Sequence, residues 1–328
     1  MAIPDRECPW QKQGLRQTAL DDSLDRIIRY FQSPVPADLR RITGLETRRQ
    51  WDVTAGILNR GAPAGKVDRG HVIRFRRGKE LTADLYPPNG SAPFPAILFI
   101  HGGAWVGGSP RTHNKLALRL AERGYYVISV EYALAPEDRF PRGLEDCVFA
   151  AKWLEAEAEN LGIDGSRLAV MGDSAGGNLA AATIHKLLAQ DGTTAFRAAV
   201  LAYGVYDFLA MLELPTTSPF VNGHTFAWQA EDYLGEAFDE ALLTSSEVSP
   251  RFSPYLEGFP PTFMSVGTND PVLQQTLAFA EALRAAETQV EVSIYEGAMH
   301  AFLQIEELQA AGEGLEDIVH FLQISLPD

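Results

Sequence analysis

Apolar residues in the first 65 positions recur at helical spacing. Leu20, Leu24, Ile27, Ile28 and Phe31 step by three and four, which predicts one amphipathic helix. Ser33-Pro34-Val35-Pro36 breaks it, and a second helical pattern carrying Arg40, Arg41, Arg48 and Arg49 runs to Asn59. Gly61-Ala62-Pro63-Ala64-Gly65 reads as a linker. After it the pattern changes. His71–Arg77 and Glu80–Tyr86 predict two strands of a hairpin. Short apolar runs then alternate with amphipathic ones. The strands are predicted at Ala96–Ile100, Tyr125–Glu131, Leu168–Met171, Ala198–Ala202, Thr262–Val266 and Val290–Tyr295. Helices are expected at 112–123, 142–160, 176–189, 271–286 and 306–323. This alternation predicts an α/β fold: a mostly parallel eight-stranded sheet with helices on both faces and an antiparallel edge from the hairpin.

One stretch departs from the alternation. Residues 207–250 contain no Lys or Arg and are aromatic and acidic, with Phe220, His224, Phe226, Trp228, Tyr233 and Phe238. Connections beyond ~12–15 residues are usually functional, so a helical insertion is expected here. At 328 residues the chain exceeds the ~250–300 residues at which single cores stop growing. The domains expected are therefore a catalytic core of 66–206 with 251–328, and a helical cap of 1–65 with 207–250.

A hydrophobic share of 46% with 22% charged residues is ordinary for a soluble globular protein. No apolar run approaches the ~18 residues of a membrane span. The N-terminal MAIPDRECPWQKQ mixes charges and lacks a signal-peptide core, so a cytoplasmic location is expected. Cys8 and Cys147 alone suit a reducing compartment without a disulfide framework. The net charge of −15 is concentrated in 201–328, where two basic residues face twenty acidic ones. Such a surface repels phosphate backbones, so nucleic acid is not an expected partner.

The candidate chemistry begins at Gly172-Asp173-Ser174-Ala175-Gly176. It lies between the buried-strand pattern Leu168–Met171 and a small-residue helix opening at Leu179. A strand that reverses into a helix this quickly forces Ser174 into a strained conformation, with glycines leaving room on either side. The motif alone is weak; a second one strengthens it. Directly after the strand ending at Ile100 stands His101-Gly102-Gly103-Ala104-Trp105. Acyl transfer places negative charge on a carbonyl oxygen, and preorganised N–H donors stabilise it by about 2.7–4 kcal/mol each. Gly102, Gly103 and Ala175 are the candidate oxyanion donors. The loop lacks both the Gly-Lys-Ser/Thr and the Gly-x-Gly-x-x-Gly signatures of phosphate and dinucleotide sites.

These residues resemble the hormone-sensitive-lipase-like esterases of the α/β-hydrolase fold. The resemblance covers 66–328 and rests on HGGAW at 101–105, Tyr132-Ala133-Leu134-Ala135-Pro136-Glu137, GDSAGGN at 172–178, Asp270-Pro271 and Met299-His300-Ala301-Phe302. It implies that the glycine-rich loop and Ala175 form the oxyanion hole. It also implies a helical cap shaping the acyl pocket, and a homodimer joined edge to edge through Val290–Tyr295. Departures are Ala104 for a third Gly, Ala133 for Arg, Gly204 for Pro, and Val-Leu-Gln-Gln after Asp270-Pro271.

In this fold the order is Ser, acid, His. His300 follows the last predicted strand in a loop and is the expected base, whereas His320 sits within a helical pattern. Asp270 follows a strand and is the expected acid. Glu296 is its rival, and Asp173 is expected to support the turn. Glu137 and Arg139 read as loop braces through ion pairing, Trp105 as pocket wall or cap plug. His71, His113 and His185 read as surface or core residues, and His224 as a possible pocket residue. No His/Cys/Asp cluster has metal spacing, and no cofactor is expected. The function expected is a serine carboxylesterase acting on small, short-chain acyl esters through an acyl-enzyme. The alternatives are an arylformamidase-like amidase and a ligand-binding receptor like the plant gibberellin receptors. Such receptors lose the activating His, which this chain keeps as His300.

Overall fold

The computed structural model describes residues 22–34, 44–76 and 79–328. Leu20, Val35, Pro36, Arg40, Arg41, Arg77 and Cys8, all named above, lie outside the described residues. Eight strands form one sheet: β1 (Asp68–Arg76), β2 (Lys79–Tyr86), β3 (Phe94–Ile100), β4 (Tyr126–Glu131), β5 (Ile163–Asp173), β6 (Phe196–Ala202), β7 (Thr262–Gly267) and β8 (Val290–Tyr295). Their order is β1-β2-β4-β3-β5-β6-β7-β8. The β1/β2 and β2/β4 pairs are antiparallel and every later pair is parallel. The expected hairpin is thus the antiparallel edge. β5 extends further than its apolar run predicted, from Ile163, through a register shift between Leu168 and Ala169.

The apolar runs are continuous because the central strands are covered on both faces. Ala96 to Ile100 are all fully buried, although successive side chains point to opposite sides. The helices α3 (Asn114–Glu122), α4 (Arg142–Glu157), α5 (Ala175–Asp191), α9 (Leu273–Ala285) and α10 (Gln309–Ser325) connect or follow these strands. α5 buries nearly its whole length, which accounts for its Ala-rich sequence: large side chains would hold it off the sheet. Among the described residues no helix is long and apolar enough to cross a membrane.

Two helices precede the sheet, α1 (Asp22–Gln32) and α2 (Gly44–Leu58). α1 buries Leu24, Ile28 and Phe31, three members of the predicted stripe. Residues 207–250 hold α6 (Phe208–Leu212), α7 (Gly223–Leu234) and α8 (Glu240–Leu243). α7 starts with a capping box between Asn222 and Thr225, and α6 and α8 with the Asp207 and Asp239 side chains. The chain after α1 reaches this insertion: Phe220 N–H donates to the Ser33 carbonyl at 3.0 Å, and Pro34 pairs with Pro219.

Parallel strands direct all their C-terminal ends to one edge of the sheet, where ligand sites of such folds lie. The loops after β3, β5, β7 and β8 carry Gly102, Ser174, Asp270 and His300 respectively. Strand order places β3 beside β5 and β7 beside β8.

Candidate active site

Ser174 closes β5 and caps α5 with φ 53° and ψ −123°, a region that costs a non-glycine residue of order 1–3 kcal/mol. The glycines around it leave room for this turn. A Cβ on Gly172 would overlap the Gly176 carbonyl, and one on Gly176 would overlap the Ile100 carbonyl oxygen on β3. The serine backbone is anchored by its N–H to the Ala202 carbonyl at 2.9 Å. Its hydroxyl stands clear of the sheet, 2.8 Å from His300 Nε2.

His300 comes from the loop after β8 and is buried. Its Nδ1 lies 3.0 and 2.9 Å from the two carboxylate oxygens of Asp270, also buried. A carboxylate only accepts, so Nδ1 carries a proton and Nε2 is left to accept from the Ser174 hydroxyl. Asp270 Oδ1 also accepts from the Val272 N–H at 3.0 Å, which fixes the carboxylate at the entry to α9. Asn269 N–H donates to the Ala298 carbonyl at 3.0 Å and ties the acid's loop to the loop of His300. Glu296 is exposed on that turn, and His320 is exposed on α10. The structure brings Ser174, Asp270 and His300 into one hydrogen-bonded chain.

The glycine-rich loop differs from expectation at one point. Gly102 N–H donates to Asp173 Oδ1 at 2.9 Å, so this expected oxyanion donor is committed to a carboxylate. The loop continues through Gly103, Ala104 and Trp105 at φ 130°, 53° and 60°. Ala175 supplies a first-turn N–H of α5, which has no partner within the helix. Asp173 does support the turn, as expected, but through this loop and two further partners. Burial pushes its carboxyl up, while the His113 charge, bonds from His113 and Gln304, and the Gly102 N–H together hold it below the usual range. His101 is fully buried and pushed down to about 3, by burial first and the nearby His113 charge second. Its Nδ1 donates to the Gly102 carbonyl at 2.9 Å.

Several residues acquire roles that the motifs did not show. Arg48 of α2 donates to the carbonyls of Val106 at 2.7 Å and Ala135 at 2.6 Å and pairs with Glu137. Glu137 therefore braces the loop with Arg48 as its partner. Phe220 stacks on the His300 ring, with centroids 5.1 Å and planes 17° apart, and Tyr203 meets the same ring at 5.2 Å. Nothing in the local sequence distinguishes Phe220 from the other aromatics of its segment. Trp105 is both pocket wall and plug: it lines the cavity, stacks on Tyr233 of α7 at 4.9 Å, and donates to Asn178 Oδ1 at 3.2 Å. His113 and His185 are core residues, and His71 is half-buried beside Trp153. His224 is exposed and packs on Trp228. Gly204 N–H donates to Tyr206 Oη at 3.2 Å, a bond that a Pro there could not make. Cys147 is a free, buried thiol.

A cavity of about 710 Å³ opens over Ser174 and His300. Phe31, Trp51, Trp105, Phe220, Phe226 and Trp228 make its walls mainly apolar. Among the described residues no group of three or more His, Cys, Asp or Glu could hold a metal ion.

A sheet of this order with the serine at the β5–α5 turn has the architecture of an α/β hydrolase. The profile of the family described as alpha/beta hydrolase fold matches residues 97–304. The chain is 34% identical to the ethyl acetate hydrolase of Pseudomonas putida, over 85% of this chain and 89% of that one. It is 32% identical to the carboxylic ester hydrolase LipN of Mycobacterium tuberculosis, over 75% of this chain and 68% of that one. The solved esterase of Pyrobaculum calidifontis superposes with a TM-score of 0.80 at 28% identity, covering 92% of this chain and 98% of that one. This chain belongs to the hormone-sensitive-lipase-like carboxylesterase family of the α/β hydrolases.

Proposed function

We propose that this carboxylic ester hydrolase works through a Ser174–His300–Asp270 triad and an acyl-enzyme. The single observation that carries the reading is the hydrogen-bonded chain from hydroxyl to imidazole to carboxylate beneath an apolar cavity. His300 Nε2 takes the Ser174 proton as Oγ attacks the ester carbonyl carbon, and Asp270 stabilises the imidazolium that forms. The carbonyl electron pair moves to oxygen, and the N–H groups of Gly103, Ala104 and Ala175 receive it. Collapse breaks the bond to the alcohol, which leaves with the proton from Nε2. Water then repeats the sequence on the acyl-serine and releases the acid.

Helices α1, α2 and α7 form the cap in this reading, since each supplies walls to the cavity. The mainly apolar lining supports small, apolar acyl or alcohol groups as substrate, in keeping with the name of the Pseudomonas putida relative. The same names favour esters over N-formyl amides, and the engaged imidazole weighs against a receptor. β8 is an edge strand with Ile294 48% exposed, which supports a homodimer paired along it. The few cysteines support a cytoplasmic location.

Turnover of p-nitrophenyl acetate and butyrate by Ser174→Ala tests the mechanism. A loss on the order of 10⁴ to 10⁶ in kcat is expected. Unchanged rates would overturn the reading.

A further inference from the structure

Asp173 is fully buried next to the nucleophile, and the proposed acyl transfer makes no use of its charge. Four parts of the chain converge on it. The β5–α5 turn carries it; the glycine-rich loop donates the Gly102 N–H to Oδ1 at 2.9 Å. The turn after His300 donates Gln304 Nε2 to Oδ2 at 3.0 Å. The segment entering α3 places His113 Nε2 at 3.2 Å from Oδ1 and 3.3 Å from Oδ2.

Thr112 Oγ1 gives its only proton to the Ser109 carbonyl at 2.7 Å and accepts from the Ser109 N–H at 3.0 Å. His113 Nδ1 lies 2.7 Å from the same oxygen, which fixes the ring between Thr112 and Asp173. Nε2 faces a carboxylate that can only accept, so it donates to Asp173. His113 is a buried donor to Asp173, held away from water. A buried carboxylate with this many donors is a fixed one, because losing any partner leaves charge uncompensated.

The consequence falls on the oxyanion loop. Gly102 packs so close that a Cβ there would meet the Asp173 carbonyl and carboxylate oxygens at 2.9 Å. The next three residues all hold positive φ, an arrangement that persists only when its surroundings enforce it. Resting on the esterase reading above, we propose that Asp173, held by His113, is the positioning residue of the oxyanion hole. By turning the Gly102 N–H away from the substrate it sets the following peptides so that the Gly103 and Ala104 N–H groups face Ser174. Through Gln304 the same carboxylate keeps the His300 turn in register with that loop.

The test compares Asp173→Asn, His113→Gln and Gln304→Leu in the full chain, with thermal midpoints recorded for each. An oxyanion hole out of place lowers transition-state stabilisation but leaves substrate binding alone. In Asp173→Asn, kcat for p-nitrophenyl butyrate is expected to fall about 10²-fold with KM within about twofold. Affinity for an alkyl trifluoromethyl ketone, whose adduct carries the oxyanion, is expected to fall by about the same factor. Wild-type kcat and ketone affinity in a folded Asp173→Asn would overturn the assignment. So would a raised KM at unchanged kcat. If Asp173→Asn does not fold, His113→Gln decides on the same readouts. Retained turnover in Ser174→Ala would instead remove the esterase reading itself, so the two failures are told apart.

Discussion

The ring of Phe220 lies almost flat on the imidazole of His300, 5.1 Å between centroids and 17° from parallel. Phe220 is held there at φ 62° by its N–H bond to Ser33 and by Phe31 of α1 at 4.6 Å. The first helix thus reaches the proposed catalytic base through one aromatic ring. Phe220→Ala is expected to free the imidazole and enlarge the cavity. A fall in kcat of about tenfold on p-nitrophenyl butyrate is expected, with the preferred acyl chain becoming longer. A series of p-nitrophenyl esters graded by chain length checks both effects; an unchanged profile and kcat would contradict the contact's role.

Arg48 fastens α2 to the loops carrying Val106 and Ala135 through bonds to two carbonyls in a half-buried site and a pair with the exposed Glu137. Hydrogen bonds to charged groups contribute about 1.5–3 kcal/mol each at most, less where exposed. Arg48→Ala is expected to lower the denaturation midpoint in urea and slow ester turnover. Arg48→Lys is expected to recover only part, since an ammonium lacks the planar fork that reaches three acceptors. Full recovery by Lys would show that charge alone matters.

Gly176→Ala is expected to abolish soluble protein or destabilise it severely. The added Cβ would overlap the Ile100 carbonyl oxygen, which is backbone of a central strand and cannot move aside. Gly312→Ala, whose Cβ would meet nothing within 4 Å, serves as the control. Equal soluble yields for the two variants would contradict the packing argument.

Acid sensitivity follows from two buried groups in separate windows. His101 is held down to about 3 in the folded chain, while the unfolded chain binds that proton near 6.5. Between those values the unfolded state holds more protons, so stability falls as pH drops, by about 1.4 kcal/mol per pH unit at full slope. Asp173 acts lower. Its carboxyl is held below the ordinary range by His113 despite burial, so its stabilisation is present above about pH 4 and is lost as pH falls through the depressed value. Urea midpoints between about pH 6 and about pH 4 are expected to fall less in His101→Asn than in the wild type. Parallel pH profiles would refute the assignment of this window to His101.

Pairing along β8 predicts a particle of two chains by light scattering. Ile294→Arg is expected to yield one chain with esterase activity retained, because the edge lies away from Ser174 in strand order. A wild-type mass of a single chain would remove the dimer.

The amino-acid order by itself determined everything that depends on neighbours a few residues apart. Buried-strand runs such as Ala96–Ile100, the stripe Leu24–Ile28–Phe31, the glycine-flanked Ser174 and the loop positions of Asp270 and His300 all carry local patterns that the fold obeys. Tertiary structure decided which groups face one another. Whether Gly102 points its N–H at substrate or at Asp173 depends on a side chain from another strand. His113, Gln304, Arg48 and Phe220 carry no motif because their roles arise only where loops from several strand ends and the helices over them meet at one edge of the sheet. A periodicity records which face of an element is buried, but the partner across that face is a distant residue. Direction, proton placement and ring stacking are therefore properties of the assembled sheet edge.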